Sequence, residues 1–170
     1  MPEFFWVDAP AAGRLAVSTR PRGGPWLSDD MAIYREAGVH TLVSMLVPGE
    51  LPDLQLEEEA DHAVAAGLAF LNLPIPDLST PTSMEIVISL IALRDEVVSG
   101  RTVVAHCRQG VGRSPLVVAS ILVLLGLPAE DAWSRIARIR GRHVPDTAAQ
   151  GRWVEQLALA HAAGTLRTLR

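Results

Sequence analysis

The sequence predicts one α/β domain over residues 1–170, with a central, mostly parallel sheet of about five strands flanked by helices. Short apolar runs alternate with longer helix-period patterns, the order expected when crossover helices cover a sheet. One run, Thr102–His106, is β-branched and apolar on both faces, as a central strand must be. The length of 170 residues, nearly half of them apolar, suffices for a substantial core in a single domain.

In chain order, strands are expected at Phe4–Val7, Leu15–Ser18, Thr41–Leu46, Ala69–Leu73 and Thr102–His106. Each is a short apolar stretch bounded by turn-forming residues. Helices are expected near Ser28–Ala37, Leu54–Ala66, Met84–Ser99, Pro115–Leu125, Ala129–Arg140 and Thr147–Ala162. Ser28, followed by Asp29 and Asp30, reads as a helix start, and so does Asp53 before its Glu-rich turn. Two stretches resist regular structure. Arg20–Pro25 is rich in Pro and Gly, and Leu73–Pro81 is a proline-stiffened loop leaving a strand.

The net charge of −4 gives no support to nucleic-acid binding driven by overall charge. All fifteen basic residues are Arg. Cys107 is the only cysteine, which rules out an intramolecular disulfide and a cysteine-rich metal site. The five histidines are scattered, so no metal or other cofactor is expected. The start of the chain does not read as a leader peptide. The longest apolar stretch, Leu116–Leu127, has 12 residues, too few to cross a bilayer. A cytoplasmic protein without membrane or nucleic-acid partners is the resulting expectation.

The chemistry concentrates in His106-Cys107-Arg108-Gln109-Gly110-Val111-Gly112-Arg113-Ser114-Pro115. A short loop between a buried strand and an apolar helix turns backbone N–H groups inward in front of a helix N-terminus, which makes an anion cradle. Gly110 and Gly112 suit the positive φ angles and close approaches of such a turn. Ser114 can cap the helix, and Pro115 fits its first turn. Cysteine at the mouth of a positive cradle is favoured as thiolate, the nucleophilic form. Arg113, six positions later, brings a planar fork able to grip two phosphate oxygens.

The sequence His-Cys-x5-Arg-Ser at 106–114 resembles the signature of the protein tyrosine and dual-specificity phosphatases. Segments 20–50, 68–82 and 130–150 are similar to the kinase-associated, cyclin-dependent-kinase-inhibitor-like branch of that family. The resemblance implies a phosphatase-like fold and the hydrolysis of phosphate monoesters on protein or peptide substrates, with Cys107 forming a phosphocysteine. It further implies that Arg113 binds substrate and stabilises the transition state, and that residues 108–113 cradle the phosphate. Ser114 would help the thiolate leave, and His106, without touching substrate, would help hold the thiolate through its hydrogen bonds. The family places its general acid on a loop upstream of the signature. Asp77, 30 residues before Cys107 and following a strand, matches that place, with a turn-capping aspartate beside proline as the alternative. Asp146 and Asp53 are weaker alternatives, since neither leaves a strand. Gln150 resembles the glutamine that positions water in tyrosine-specific members, although a helix-surface glutamine is the simpler alternative. The arginines at 135, 138, 140 and 142 read as solvated charges complementing a helix C-terminus.

Two other functions compete. An inositol phosphate or phosphoinositide phosphatase would use the same scaffold, usually with lysines in the loop, where this chain has Arg108 alone as an extra cation. A catalytically silent phosphate-binding module would be expected to lack Cys107, Arg113 or Asp77.

Overall fold

The computed structural model describes residues 1–166. Its strands are β1 (Phe4–Val7), β2 (Arg14–Ser18), β3 (Thr41–Ser44), β4 (Ala69–Asn72) and β5 (Thr102–His106). They form one sheet in the order β1-β2-β5-β3-β4. Strands β2, β5, β3 and β4 are parallel, and β1 runs antiparallel along one edge. The helices are α1 (Leu27–Glu36), α2 (Leu51–Leu54), α3 (Glu59–Ala65), α4 (Met84–Val98), α5 (Arg113–Leu124), α6 (Ala129–Arg140) and α7 (Ala148–Ala162).

The strand alternation divides the core into two layers. Leu15, Val17, Val43, Val103 and Ala105 point into one layer, which also takes the apolar faces of α4, α5, α6 and α7. Ala16, Leu42 and Val104 point into the other, against α1 and the α2–α3 region. Every residue of α5 is buried, so this helix lies inside the first layer, backing the central strand. β5 is central, as its two-faced apolar sequence predicts.

Several boundaries differ from the expectation. The strand expected to reach Leu46 ends at Ser44, although Met45 N still donates to His106 O at 3.1 Å. The helix expected over Leu54–Ala66 is broken, because Gln55 takes a left-handed conformation (φ 54°) between α2 and α3. The Gln55 carbonyl there accepts from Gly24 N at 2.9 Å, and Leu56 is driven into the core. Ser28 does not cap α1, whose first residue is Leu27. Asp30 is instead fully buried and accepts from Arg22 N at 2.7 Å and from Arg22 Nε at 3.1 Å. The helix expected from Pro115 opens two residues earlier, at Arg113, with Gly112 before it and no side-chain cap. This earlier start draws Arg113 and Ser114 out of the loop and fixes them on the rigid first turn of α5.

Parallel strands end together at one edge. The segments leaving β3, β4 and β5 at their C-terminal ends therefore converge there, the usual place for a ligand in such a sheet.

Candidate active site

Cys107 follows β5 directly and lies at the floor of a small cleft with Asp77, Arg108, Gln109, Val111, Gly112, Arg113 and Asp146 around it. Its sulfur accepts two hydrogen bonds, from Gly110 N at 3.2 Å and from Ser114 Oγ at 3.3 Å. Ser114 thus serves the sulfur rather than the helix cap. Gly110 has φ +69°, the left-handed conformation expected of it, and this aims its amide at the sulfur. Gly112 has φ −107°, so the expected positive angle is absent and the requirement there is one of space. A methyl at 112 would stand 3.1 Å from Asp146 Cβ and from Gln150 Nε2. Arg108 and Gln109 are exposed on the cleft wall, whereas Val111 is buried.

Arg113 is 2 % exposed, and its fork is already engaged. Nη1 donates to Glu50 Oε2 at 2.6 Å and to the Ile75 carbonyl at 3.2 Å, while Nη2 donates to Glu50 Oε1 at 3.0 Å. Burial alone would raise the Glu50 carboxyl, but hydrogen bonds from Arg113 and from Val47 N outweigh it and hold the pKa below the usual carboxylate range. Burial likewise opposes the Arg113 charge, and the Glu50 bond overcomes it, so the guanidinium stays firmly protonated. Glu50 is absent from the sequence-based candidates. One signal pointed to it: Val47-Pro-Gly-Glu50 is a turn directly after a strand parallel to β5, so it must fall beside the Cys107 loop.

Asp77 reaches the same cleft on the loop leaving β4, with Oδ1 3.3 Å from Arg113 Nη2. Asp146 also lines the cleft, arriving from the loop before α7, whereas Asp53 lies in α2 and is not among the cleft residues. His106 is fully buried and makes no hydrogen bond to Cys107. Its Nε2 instead lies 2.7 Å from Oε1 of the buried Glu59, a close contact that is not aligned as a hydrogen bond. Gln150 is likewise fully buried, not on the helix surface. Arg140 is not the solvated charge expected: it lies over the Phe5 ring, 3.8 Å from its centre, beside Gly110. Burial and the nearby Arg142 lower its pKa.

A sulfur with two donors, beside a buried arginine fork and a carboxylate, can hold a tetrahedral oxyanion and attack it. Among the described residues, no group of three or more His, Cys, Asp or Glu is placed to hold a metal ion, and no helix is long and apolar enough to cross a membrane.

The fold and this loop define the class of the cysteine-based protein tyrosine and dual-specificity phosphatases. Residues 17–127 match the family described as polymorphic toxin system, DSP-PTPase phosphatase, and the chain belongs to that family. No curated protein matches the chain. Among solved structures, it is similar to kinase associated phosphatase with its catalytic-site cysteine replaced by serine (TM-score 0.85, 20% identity, 95% of this chain and 96% of that one). It is also similar to Tk-PTP in its active form (TM-score 0.70, 26% identity, 86% and 92%). PTPMT1 in complex with PI(5)P shares the fold as well (TM-score 0.74, 18% identity, 94% and 98%).

Proposed function

We propose that this chain hydrolyses phosphate monoesters of proteins, phosphotyrosine and also phosphoserine or phosphothreonine, through a phosphocysteine on Cys107. The observation that carries this is the Cys107 sulfur, held by Gly110 N and Ser114 Oγ at the floor of a cleft that also contains Arg113 and Asp77.

In the first step the Cys107 thiolate attacks phosphorus, an S–P bond forms, and the bond to the leaving oxygen breaks. Asp77 donates its proton to that oxygen. Backbone amides of residues 108–113 and the Arg113 fork take the charge of the equatorial oxygens, with Asp77 leaving Arg113 as the phosphate arrives. In the second step Asp77, now a carboxylate, takes a proton from water as the water attacks phosphorus. The S–P bond breaks, and the Ser114 hydroxyl stabilises the departing thiolate. His106 precedes the cysteine at the end of β5, and no bond from its side chain to the sulfur enters these steps. The lone free thiol fits a reducing compartment, and we place the protein in the cytoplasm.

A second reading, a phosphoinositide or inositol phosphate phosphatase, is favoured by Arg140, a second cation set beside the loop at Gly110. The PTPMT1 neighbour carries PI(5)P on the same fold.

Kinetics of Asp77→Asn test the mechanism. We expect kcat to fall by roughly 10²–10⁴ on phosphopeptides, whose leaving oxygens need protonation. The loss should be much smaller on an activated aryl phosphate. Equal losses on both would assign the acid elsewhere, with Asp146 next in line. Wild-type activity on an inositol phosphate panel exceeding that on phosphopeptides would select the second reading.

A further inference from the structure

The segment bearing Asp77 has few polar ties to the rest of the protein. Residues 76–82 lie outside helix and strand. Within the segment, Ser79 N donates to the Pro76 carbonyl at 3.1 Å and Ser79 Oγ to the Asp77 carbonyl at 3.4 Å, with Leu78 left-handed at φ +59°. Among the described residues, only two polar contacts reach it from elsewhere. One is the Arg113–Asp77 contact at 3.3 Å, and the other is Gln150 Nε2 donating to the Ser79 carbonyl at 3.1 Å. A phosphate bound to Arg113 competes for the first. The second does not involve Arg113.

Gln150 is built for a fixed position. It is fully buried in the first turn of α7. Its Oε1 accepts from Thr147 N at 3.3 Å, and its own N–H donates to Thr147 Oγ1 at 3.2 Å, a reciprocal capping box. Its amide also packs on Gly112, where a methyl would stand 3.1 Å from Nε2 and 3.2 Å from Oε1. One side chain therefore touches the loop of the general acid and the loop of the nucleophile, and is anchored by the helix that carries it.

We propose that Gln150 is a positioning residue that clasps the Asp77 segment to the phosphate loop, setting the distance from the acid to the leaving oxygen. The kinetic part of this inference rests on the phosphatase reading given above. Oε1 accepts from Thr147 N and one Nε2 hydrogen goes to Ser79, while the second Nε2 hydrogen stays open. Kinetics therefore have to separate a clasp on the acid loop from positioning of the hydrolytic water.

Gln150→Met keeps the bulk beside Gly112 and removes the donor. Thr147→Ala removes the cap from α7 and leaves the donor in place. Both variants and the wild type are to be assayed on aryl phosphates of graded leaving-group acidity. Gln150→Met is expected to lose about tenfold in kcat on the least acidic leaving group and about twofold or less on the most acidic. Thr147→Ala should keep the wild-type dependence. Hydrogen exchange in residues 76–82, on the same proteins, reads the clasp without any turnover and should quicken in Gln150→Met alone.

Uniform kinetic loss across leaving groups, or the same selectivity in Thr147→Ala, would overturn the proposal in favour of simple helix support. A slowed second step, seen as phosphoenzyme accumulating with every leaving group, would return Gln150 to water positioning. Unchanged exchange in residues 76–82 would also overturn the clasp. A wild type that turns over no aryl phosphate, yet shows the exchange difference, would sink the phosphatase reading and leave the clasp standing.

Discussion

Arg113 cannot choose its own orientation: a long flexible side chain held at 2 % exposure needs a partner, and Glu50 provides it through both carboxylate oxygens. Removing one member of a buried pair leaves the other charge uncompensated, at a cost of about 3–5 kcal/mol in a fully buried setting. Glu50 is partly open to the cleft, so the cost of Glu50→Ala should sit at or below the low end of that range. The fork should also swing, weakening phosphate binding and lowering kcat/KM together. Thermal unfolding and the inhibition constant for inorganic phosphate measure the two effects, and a variant matching wild type in both would remove Glu50 from the site. At this scale the sequence was legible in the contiguous loop from Cys107 to Ser114, which forms the floor and wall of one cleft, whereas the expected hydrogen bond from His106 to the sulfur is absent. Glu50 lies 63 residues from Arg113, and only folding brings them together. Glu59 was hidden for another reason, since in Glu57-Glu58-Glu59 nothing marks which acid turns inward to His106.

The elements explain how those side chains arrive. The break at Gln55 was invisible to a periodic reading, because the residues from Leu54 to Ala66 tolerate a continuous helix and only the Gly24–Gln55 bond and the burial of Leu56 reward the turn. That turn starts α3 afresh, with Glu59 as its first residue, behind the strand bearing His106. Asp77 was legible from its element, a loop leaving a strand, while Gln150 was legible as a residue and misjudged in its exposure. The loop after β5 makes a sharp demand at Gly110. A methyl there would meet the Ser18 carbonyl at 3.3 Å and Arg140 Nη2 at 3.4 Å, with the backbone at φ +69°. Gly110→Ala should cost about 1–3 kcal/mol of stability or turn the peptide out of place. A turned peptide withdraws the N–H from the Cys107 sulfur, so phosphate inhibition should weaken along with kcat. Wild-type phosphate affinity in a folded Gly110→Ala variant would show that this amide is not part of the cradle.

For the whole molecule, one edge of a parallel sheet gathers the loops after β3, β4 and β5, and the buried α5 fixes the Cys107 loop against the core. Two carboxylates tie this arrangement to pH. Burial tends to raise Asp30, yet its bonds from Arg22 bring it below the usual value, and Glu50 is lowered against burial by Arg113 and Val47. A folded pKa below the unfolded one means that the unfolded chain binds more protons in acid. The stabilisation is therefore complete above about pH 5 and is lost as the pH falls below about 4. Melting temperatures should be level between about pH 7 and 5 and then drop, less steeply in Asp30→Asn. A drop beginning above about pH 6 would point to histidine instead.

Covalent catalysis by Cys107 is read by rapid acid quench during turnover of an activated aryl phosphate, followed by intact-mass and peptide analysis. The expected result is one phosphoryl group per chain, located on Cys107, appearing within the burst of released phenol and absent from Cys107→Ser. Steady turnover in Cys107→Ser, or a phosphoryl group found on any other residue, would contradict it.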